Sequence, residues 1–581
     1  MPRSRSSRAL FAAFALFAGC GEDAITATPD VLADTALPVD TAPADTASAP
    51  DTLSVDTLTV DAVDAADAAD TAAPPEPTPI CVAIRGNGEL ITAHFAALAR
   101  IAELFGPFEG VAGGSSGSIT SFLTESMHMH PLLRDCGGAV CTRAQAGARL
   151  GLLYKSLFGY LGAMGDRDEA VAVGRILGVI ALAQEEGIGE LIAQDKLSEA
   201  WSALVTLFES PDVRDLINPE LLTLLKDSPA PGKHVRDIWA MLSGFGSFSA
   251  ADPIIFVRPG IVNFPGLAAE VGRIGSFYAG YGAFDAAGWA AFLDGCAEAG
   301  MGLPWPLVAG IDAGGQSCGK RFSALLDPWR ASFIPTEATA PNRIDDRVGA
   351  HMRVLVATSV LTGQAATAFD SAWNNYKSAQ AWTLPVAFGD VKAGYWGKAV
   401  DVSGVVSNPK GYADLKTSKA MTLGQATWRE ALSLSPAEPG LARAQALDAT
   451  RVSAGGWPDL EPVLALENAG CERVVYLTRR GESSVFGRGV AQLLGASDAD
   501  LAALHDLGSP TSSFSLSLSE AAGVWCTDWN AFGATDLTGI SLDAYNAPFE
   551  VHDPTLVPAG PAYAPTTLRA NLVGCTPGVT P

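Results

Sequence analysis

The chain has 581 residues and a formal net charge of −25, with 48% apolar and 17% charged residues. It is longer than one ordinary domain and has the apolar material for a large packed core. The acidic balance argues against a nucleic-acid-binding surface, because phosphate contacts need Lys and Arg.

Arg3, Arg5 and Arg8 form a basic start, followed by an uncharged apolar run from Ala9 that ends in Phe17-Ala18-Gly19-Cys20. This is the layout of a secretory signal, too short to span a bilayer as a stable helix. Small residues before a cysteine resemble a bacterial lipobox, with Phe17 where Leu is more usual. Residues 1–20 are therefore expected to be a signal with Cys20 lipidated. The chain would then be exported and lipid-anchored to the bacterial cell envelope, at the outer membrane. The alternative is an ordinary cleaved signal with a chance Cys20. Between Arg8 and Arg85 there is no Lys or Arg, while Asp23, Asp30, Asp34, Asp40, Asp45, Asp51, Asp56, Asp61, Asp64, Asp67 and Asp70 all fall there. About half of the net charge thus belongs to a tail. Residues 21–78 are a loose Asp/Thr/Ala/Pro repeat without apolar bulk, expected to stay disordered as a tether.

Pro79 to Ile84 reads as a buried strand, and Arg85-Gly86-Asn87-Gly88 as a turn. From Ala93 to Phe105 the apolar positions recur at helical spacing. A second strand ends at Val111-Ala112, then Gly113-Gly114-Ser115-Ser116-Gly117-Ser118 runs into a helix. Residues 126–345 read as a large, mostly helical insertion, with Ala- and Leu-rich periodicity over Asp168 to Ser210. Strands return at Met352 to Ala357 and at Arg473 to Thr478. The stretch 501–581 has no clear period and reads as an extension packed on a domain spanning 79–500. Alternating short apolar strands and helices predict an α/β fold with a mostly parallel sheet. Eight cysteines follow Cys20. An even number in an exported chain permits disulfides. Cys136 and Cys141 could close a short loop, and the other pairings cannot be read. No Cys-x-x-Cys pair supports zinc.

Gly113-Gly114-Ser115-Ser116-Gly117 matches the nucleophile elbow G-x-S-x-G. A serine hydroxyl is a weak nucleophile that must be presented on a sharp turn, and glycines two residues to either side let strand and helix approach there. The helix N-terminus that follows supplies N–H donors and a positive dipole end for an oxyanion. The pentapeptide alone is a weak signal, but its context strengthens it. Ile84-Arg85-Gly86-Asn87-Gly88-Glu89-Leu90-Ile91-Thr92-Ala93-His94, one βα unit upstream, resembles the glycine-rich oxyanion loop of the patatin-like phospholipases. Val111 to Ile119 resembles that family's elbow. Val354 to Gly363 resembles its middle strand, Leu434-Ser435-Pro436-Ala437-Glu438-Pro439-Gly440 its Ser-Ala-x-x-Pro segment, and Ala454-Gly455-Gly456-Trp457-Pro458-Asp459-Leu460-Glu461-Pro462-Val463 its Asp-Gly-Gly loop. The segments come in the family's order.

The resemblance implies a three-layer α/β fold and hydrolysis of lipid carboxylic esters, of the phospholipase A, lysophospholipase or esterase type. Ser115 would be the nucleophile, with backbone N–H groups of Gly86, Asn87, Gly88 and Ser116 holding the oxyanion. It implies a lipid or phospholipid substrate, membrane attachment through Cys20, and no metal or organic cofactor. The sequence also departs from the pattern. Asn87 replaces a glycine, Leu90 stands where a basic residue is usual, and Ala454 occupies the place of the dyad Asp. Asp459, in the same loop, is the candidate base. Asp312, in Asp312-Ala313-Gly314-Gly315, is a look-alike placed too early. The rival reading is a catalytically degenerate relative that binds lipid or a protein partner. Among the histidines, His94 reads as structural and His128 and His130 as surface residues of the insertion; His552-Asp553 would complete a Ser…Asp…His order, but the glycine loop upstream of the elbow argues against that conventional triad.

Overall fold

The computed structural model describes residues 76–558, apart from 87–90, 165–186, 211–213, 215–216, 244–256, 299–311, 314–315, 334–341, 362, 381–390, 398–425, 438–440, 448–449, 454, 456–461, 480–520 and 528–536. The expected signal, Cys20 and the acidic tether lie outside the described residues. So do Asn87, Gly88, Ala454 and Asp459.

The chain opens with β1 (Cys81–Ile84), α1 (Ile91–Phe105), β2 (Gly110–Gly113) and α2 (Ser116–His128). Helices then follow: α3 (Arg143–Met164), α4 (Ile188–Ala193), α5 (Leu197–Phe208), α6 (Pro219–Asp227), α7 (Pro231–Ser243), α8 (Phe264–Ala279) and α9 (Ala286–Glu298). A small hairpin of β3 (Asp312–Ala313) and β4 (Gln316–Ser317) leads into α10 (Cys318–Phe333). The chain returns to the sheet with β5 (Arg353–Leu361), α11 (Gly363–Lys377), β6 (Val391–Gly397), α12 (Trp428–Leu434), β7 (Gln445–Leu447) and β8 (Thr450–Ser453). It ends with α13 (Val463–Asn468), β9 (Val474–Arg479), β10 (Gly523–Thr527), α14 (Leu537–Tyr545) and β11 (Phe549–Val551).

Among the described residues the main sheet runs β11-β10-β9-β1-β2-β5-β8-β7, with β6 also on β5. The strands β10, β9, β1, β2 and β5 are mutually parallel, and the pairings outside that block are antiparallel. The protein is therefore α/β with a mostly parallel sheet. Its central strands are buried on both faces, as parallel strands must be. Val82, Ile84, Val111, Val354, Val356, Val475 and Leu477 face one core with α1, α2 and α8. Cys81, Ala83, Ala112, Leu355, Ala357, Val474 and Tyr476 face another, covered by Val463, Ala465 and Leu466 of α13.

Three expectations change. The stretch beyond residue 500 is no layer laid upon the domain, because β10 pairs in register with β9 and β11 extends the sheet by one more strand. The expected strand Met352 to Ala357 runs on to Leu361, because the far half of β5 finds new partners in β6 and β8. The region 126–345 is mostly helical among its described residues, with the small β3–β4 hairpin, but not all of it is inserted. Its first long helix, α3, belongs to the main core, with Leu150, Leu153, Tyr154 and Leu157 buried there. A Cβ on Gly147 would overlap the Ala102 carbonyl of α1, so these two helices meet backbone to backbone. The helices α4 to α7 form a satellite core of their own around Leu204, Phe208, Leu221, Leu225 and Ile238.

Two disulfides lie among the described residues. Cys136–Cys141 closes the short loop anticipated from spacing, and Cys81–Cys471 ties the start of β1 to the turn before β9.

The far end of α2 carries a buried ion pair. Glu125 and Arg343 are both fully enclosed and bonded to each other. The Trp428 indole N–H donates to Glu125 Oε2 at 2.6 Å, and the His351 backbone N–H donates to Oε1 at 2.9 Å. Arg343 reaches Asp346 at 3.2 Å, which also accepts the Tyr281 hydroxyl. A charge buried in this way is stable only while its partners remain. Replacing Glu125 with Ala should destabilise the fold by about 3–5 kcal/mol. The double replacement Glu125→Leu with Arg343→Met should cost clearly less than Glu125→Ala alone. Urea unfolding midpoints of the three proteins check this; equal losses would remove the pair as the cause.

Candidate active site

The elbow sits where β2 leaves the sheet. Ser115 has φ 53° and ψ −127°, a conformation L-residues rarely adopt. Such a residue costs about 1–3 kcal/mol and persists only where its surroundings over-determine it. The surroundings here are glycines and serines. A Cβ on Gly113 would come 2.6 Å from the Gly117 carbonyl oxygen, and one on Gly117 would come 3.1 Å from the Ile84 carbonyl oxygen. The first turn of α2 is thereby seated on its own strand and on the end of β1.

Both peptide groups of Ser115 are held. Its N–H donates to Ser435 Oγ at 3.1 Å. Its C=O accepts the Ser118 hydroxyl at 2.6 Å and the Ser118 N–H at 2.9 Å. Ser115 and Ser116 are both fully buried. The chain at the end of β1 continues the ladder, with the Arg85 N–H donating to the Leu477 carbonyl at 3.1 Å, and Gly86 is buried beside it. The expected oxyanion loop therefore starts at the strand end against which Gly117 packs. Its members Asn87 and Gly88 lie outside the described residues.

The Gly-Gly loop is brought to the same place. The strand β8 pairs with β5 as far as Ser453–Ser359. Then Gly455 donates its N–H to the Ser435 carbonyl at 2.9 Å. A Cβ on Gly114 would come 2.7 Å from the Gly455 carbonyl oxygen, and one on Gly455 would overlap the Ala357 carbonyl. Elbow and Gly-Gly loop thus touch through bare backbone. Gly455 therefore lies against the elbow, while Ala454 and Asp459 are outside the described residues.

The remaining histidines are engaged elsewhere. His94 is buried, with Nδ1 3.0 Å from Thr120 Oγ1, and the Thr120 hydroxyl donates to the Ser116 carbonyl at 3.2 Å. Since that hydroxyl hydrogen is used, Nδ1 carries the proton and donates. His94 thereby pins α1 to the first turn of α2. His130 is fully buried and His128 half-buried, so neither is the exposed residue expected. His128 Nε2 accepts the Phe108 N–H at 2.8 Å while Nδ1 faces the Thr124 carbonyl at 2.7 Å, so its ring is neutral with Nδ1 protonated. His130 is enclosed edge-on between Trp289 and Phe284 and accepts from the Leu132 N–H. Among the described residues no group of three or more His, Cys, Asp or Glu is arranged to hold a metal. His552 bonds Glu550 and the Ala521 carbonyl, at the start of β10. That is the opposite end of the parallel strands from Ser115, and β10 lies three strands from β2 in the sheet, so the Ser…Asp…His order does not become a triad. Asp312 lies in the separate β3–β4 hairpin.

The sequence marks Ser435 only as part of the Ser-Pro-Ala segment and does not mark Ser118. The signals present are a serine beside a Pro and a serine three residues after Ser115.

Two outcomes follow. Gly114→Ala should lower stability by more than about 1 kcal/mol, because Cβ displaces the Gly455 backbone; a thermal shift within error of wild type would contradict the contact. Burial lowers the His128 pKa to about 4 and the His130 pKa to about 3, from an ordinary 6.5. The unfolded chain then takes up protons that the folded chain refuses. Stability is intact above pH 6.5 and falls as pH drops from there toward 4, by up to about 1.4 kcal/mol per pH unit per histidine. The urea midpoint should therefore decrease from about pH 7.5 to about pH 5, and less steeply in His130→Phe.

Comparison with family models, with curated proteins and with solved structures found no match for this chain.

Proposed function

We propose that the chain is a patatin-like serine lipid acyl hydrolase. One observation carries this reading: Ser115 is held at φ 53° on a strand-to-helix turn, with backbone bonds on both sides. Strain of this kind clusters at functional sites, and an elbow is the device by which a hydroxyl is presented at a helix N-terminus. In the proposed reaction Ser115 Oγ attacks the acyl carbonyl of a lipid ester, and its proton passes to Asp459. The backbone N–H groups of Gly86, Asn87, Gly88 and Ser116 hold the oxyanion. The alcohol leaves with the proton from Asp459, giving an acyl-Ser115. Water repeats the sequence and releases the fatty acid. Lipidation of Cys20 would keep the site at a membrane surface. No described helix is long and apolar enough to cross a membrane.

Ala454 at the usual place of the base, together with the full burial of Ser115, favours a second reading. In it the fold is kept to bind lipid or a protein partner without turnover. A serine deprived of its base retains only the catalysis of oxyanion hole and binding.

Fluorophosphonate labelling of the full-length protein separates the two. The hydrolase reading expects labelling of wild type, none of Ser115→Ala, and a loss of roughly 10²-fold or more in rate for Asp459→Ala. A folded wild type that never labels would leave the binding reading, and lipid binding should then survive Ser115→Ala.

A further inference from the structure

We infer that Ser435 is the positioning residue of the elbow, supplying with one hydroxyl a rung that the sheet lacks. The inference rests on the reading of Ser115 as a nucleophile. Its geometry comes from the way three strands meet. The first half of β5 pairs with β2, up to Gly113↔Val356. The same edge of β5 pairs with β8 from Ser359 onward, since β6 occupies the opposite edge over Leu355 to Leu361. Between Val356 and Ser359 this edge pairs with no strand among the described residues. There the chain of β2 turns into the elbow, and the Ser115 N–H and the Ala357 carbonyl both face the Ser435 hydroxyl.

Ser435 fills that gap. Its hydroxyl accepts the Ser115 N–H at 3.1 Å and donates to the Ala357 carbonyl at 2.8 Å. Both partners are backbone groups with fixed roles, so the direction of each bond is determined. The Ser435 backbone carbonyl accepts the Gly455 N–H at 2.9 Å. Ser435 is wholly buried. One residue thereby links Ser115, the middle of β5 and the first glycine of the Gly-Gly loop. Without the hydroxyl, the buried Ser115 N–H and the buried Ala357 C=O each lose this bond. The strained φ of Ser115 then loses one of the three described bonds that hold its peptide groups. Attack geometry depends on that φ, whereas probe binding does not.

The test uses the full-length protein with Ser435→Ala and Ser435→Cys. Cysteine keeps nearly the volume but is a poor hydrogen-bonding partner. The maximal fluorophosphonate labelling rate should fall roughly tenfold in both variants, with half-saturating probe concentration unchanged. The Ser115 amide should exchange with deuterium roughly tenfold faster in Ser435→Cys, while the sheet amides of β1 and β9 stay protected. Labelling of either variant at the wild-type rate would overturn the proposal. So would native wild type in which the Ser115 amide exchanges as freely as an exposed one, a result that needs no folded variant. If wild type does not label at all, the hydrolase reading fails, and the exchange of Ser115 in wild type against Ser435→Cys still decides the positioning role.

Discussion

A non-glycine residue at positive φ, at the top of a buried parallel strand, is the constraint around which this architecture is arranged. Ser115 cannot relax toward either the strand before it or the helix after it, because each direction is blocked. Toward the strand, Gly113 and Gly117 are in contact without side chains between them. Toward the helix, the Ser118 hydroxyl and N–H hold the Ser115 carbonyl. Each of these contacts contributes little alone, on the order of 1 kcal/mol for a hydrogen bond. Their sum matches the 1–3 kcal/mol that such a conformation costs.

The short helix α12 turns this local arrangement into a frame. At one end Trp428 donates to Glu125, deep in the buried ion pair. At the other, Ser435 caps the helix and holds Ser115. Glu125 lies ten residues beyond Ser115, about 15 Å along α2. The elbow helix is therefore fastened near both ends to one strut. A buried ion pair is weak support for stability but good at fixing register. Here the register it fixes is that of α2 against α12, and so of the serine against its neighbours.

The front of the fold was legible because its signals are local. A four-residue apolar run, a glycine turn and a 3.6-residue period suffice for β1, α1, β2 and the start of α2, and the pentapeptide around Ser115 marks its own turn. The rest depends on partners far along the chain. The run Gly-Val-Trp-Cys-Thr of β10 is five residues long and becomes a strand only because β9 offers an edge. Ser435 lies 320 residues from the amide it holds, and nothing in Leu-Ser-Pro points to that amide. His128 and His130 looked like surface residues because adjacent polar spacing cannot show that Phe108, Trp289 and Phe284 close over them.

The Cys81–Cys471 bond has a consequence for the order in which the molecule is assembled. It joins two cysteines 390 residues apart and lies beside the pairing of β1 with β9. The first strand among the described residues is thus a central strand of the sheet, and one of its two neighbours, β9, comes late in the chain. Contacts of such long range are slow to form, because loop closure must precede any gain from pairing. An early β1 can find β2 at once, but its other edge stays open through most of synthesis. An open parallel edge is a template for unwanted pairing. The covalent link can close only after the correct neighbour has arrived, and it then makes that late arrival hard to reverse.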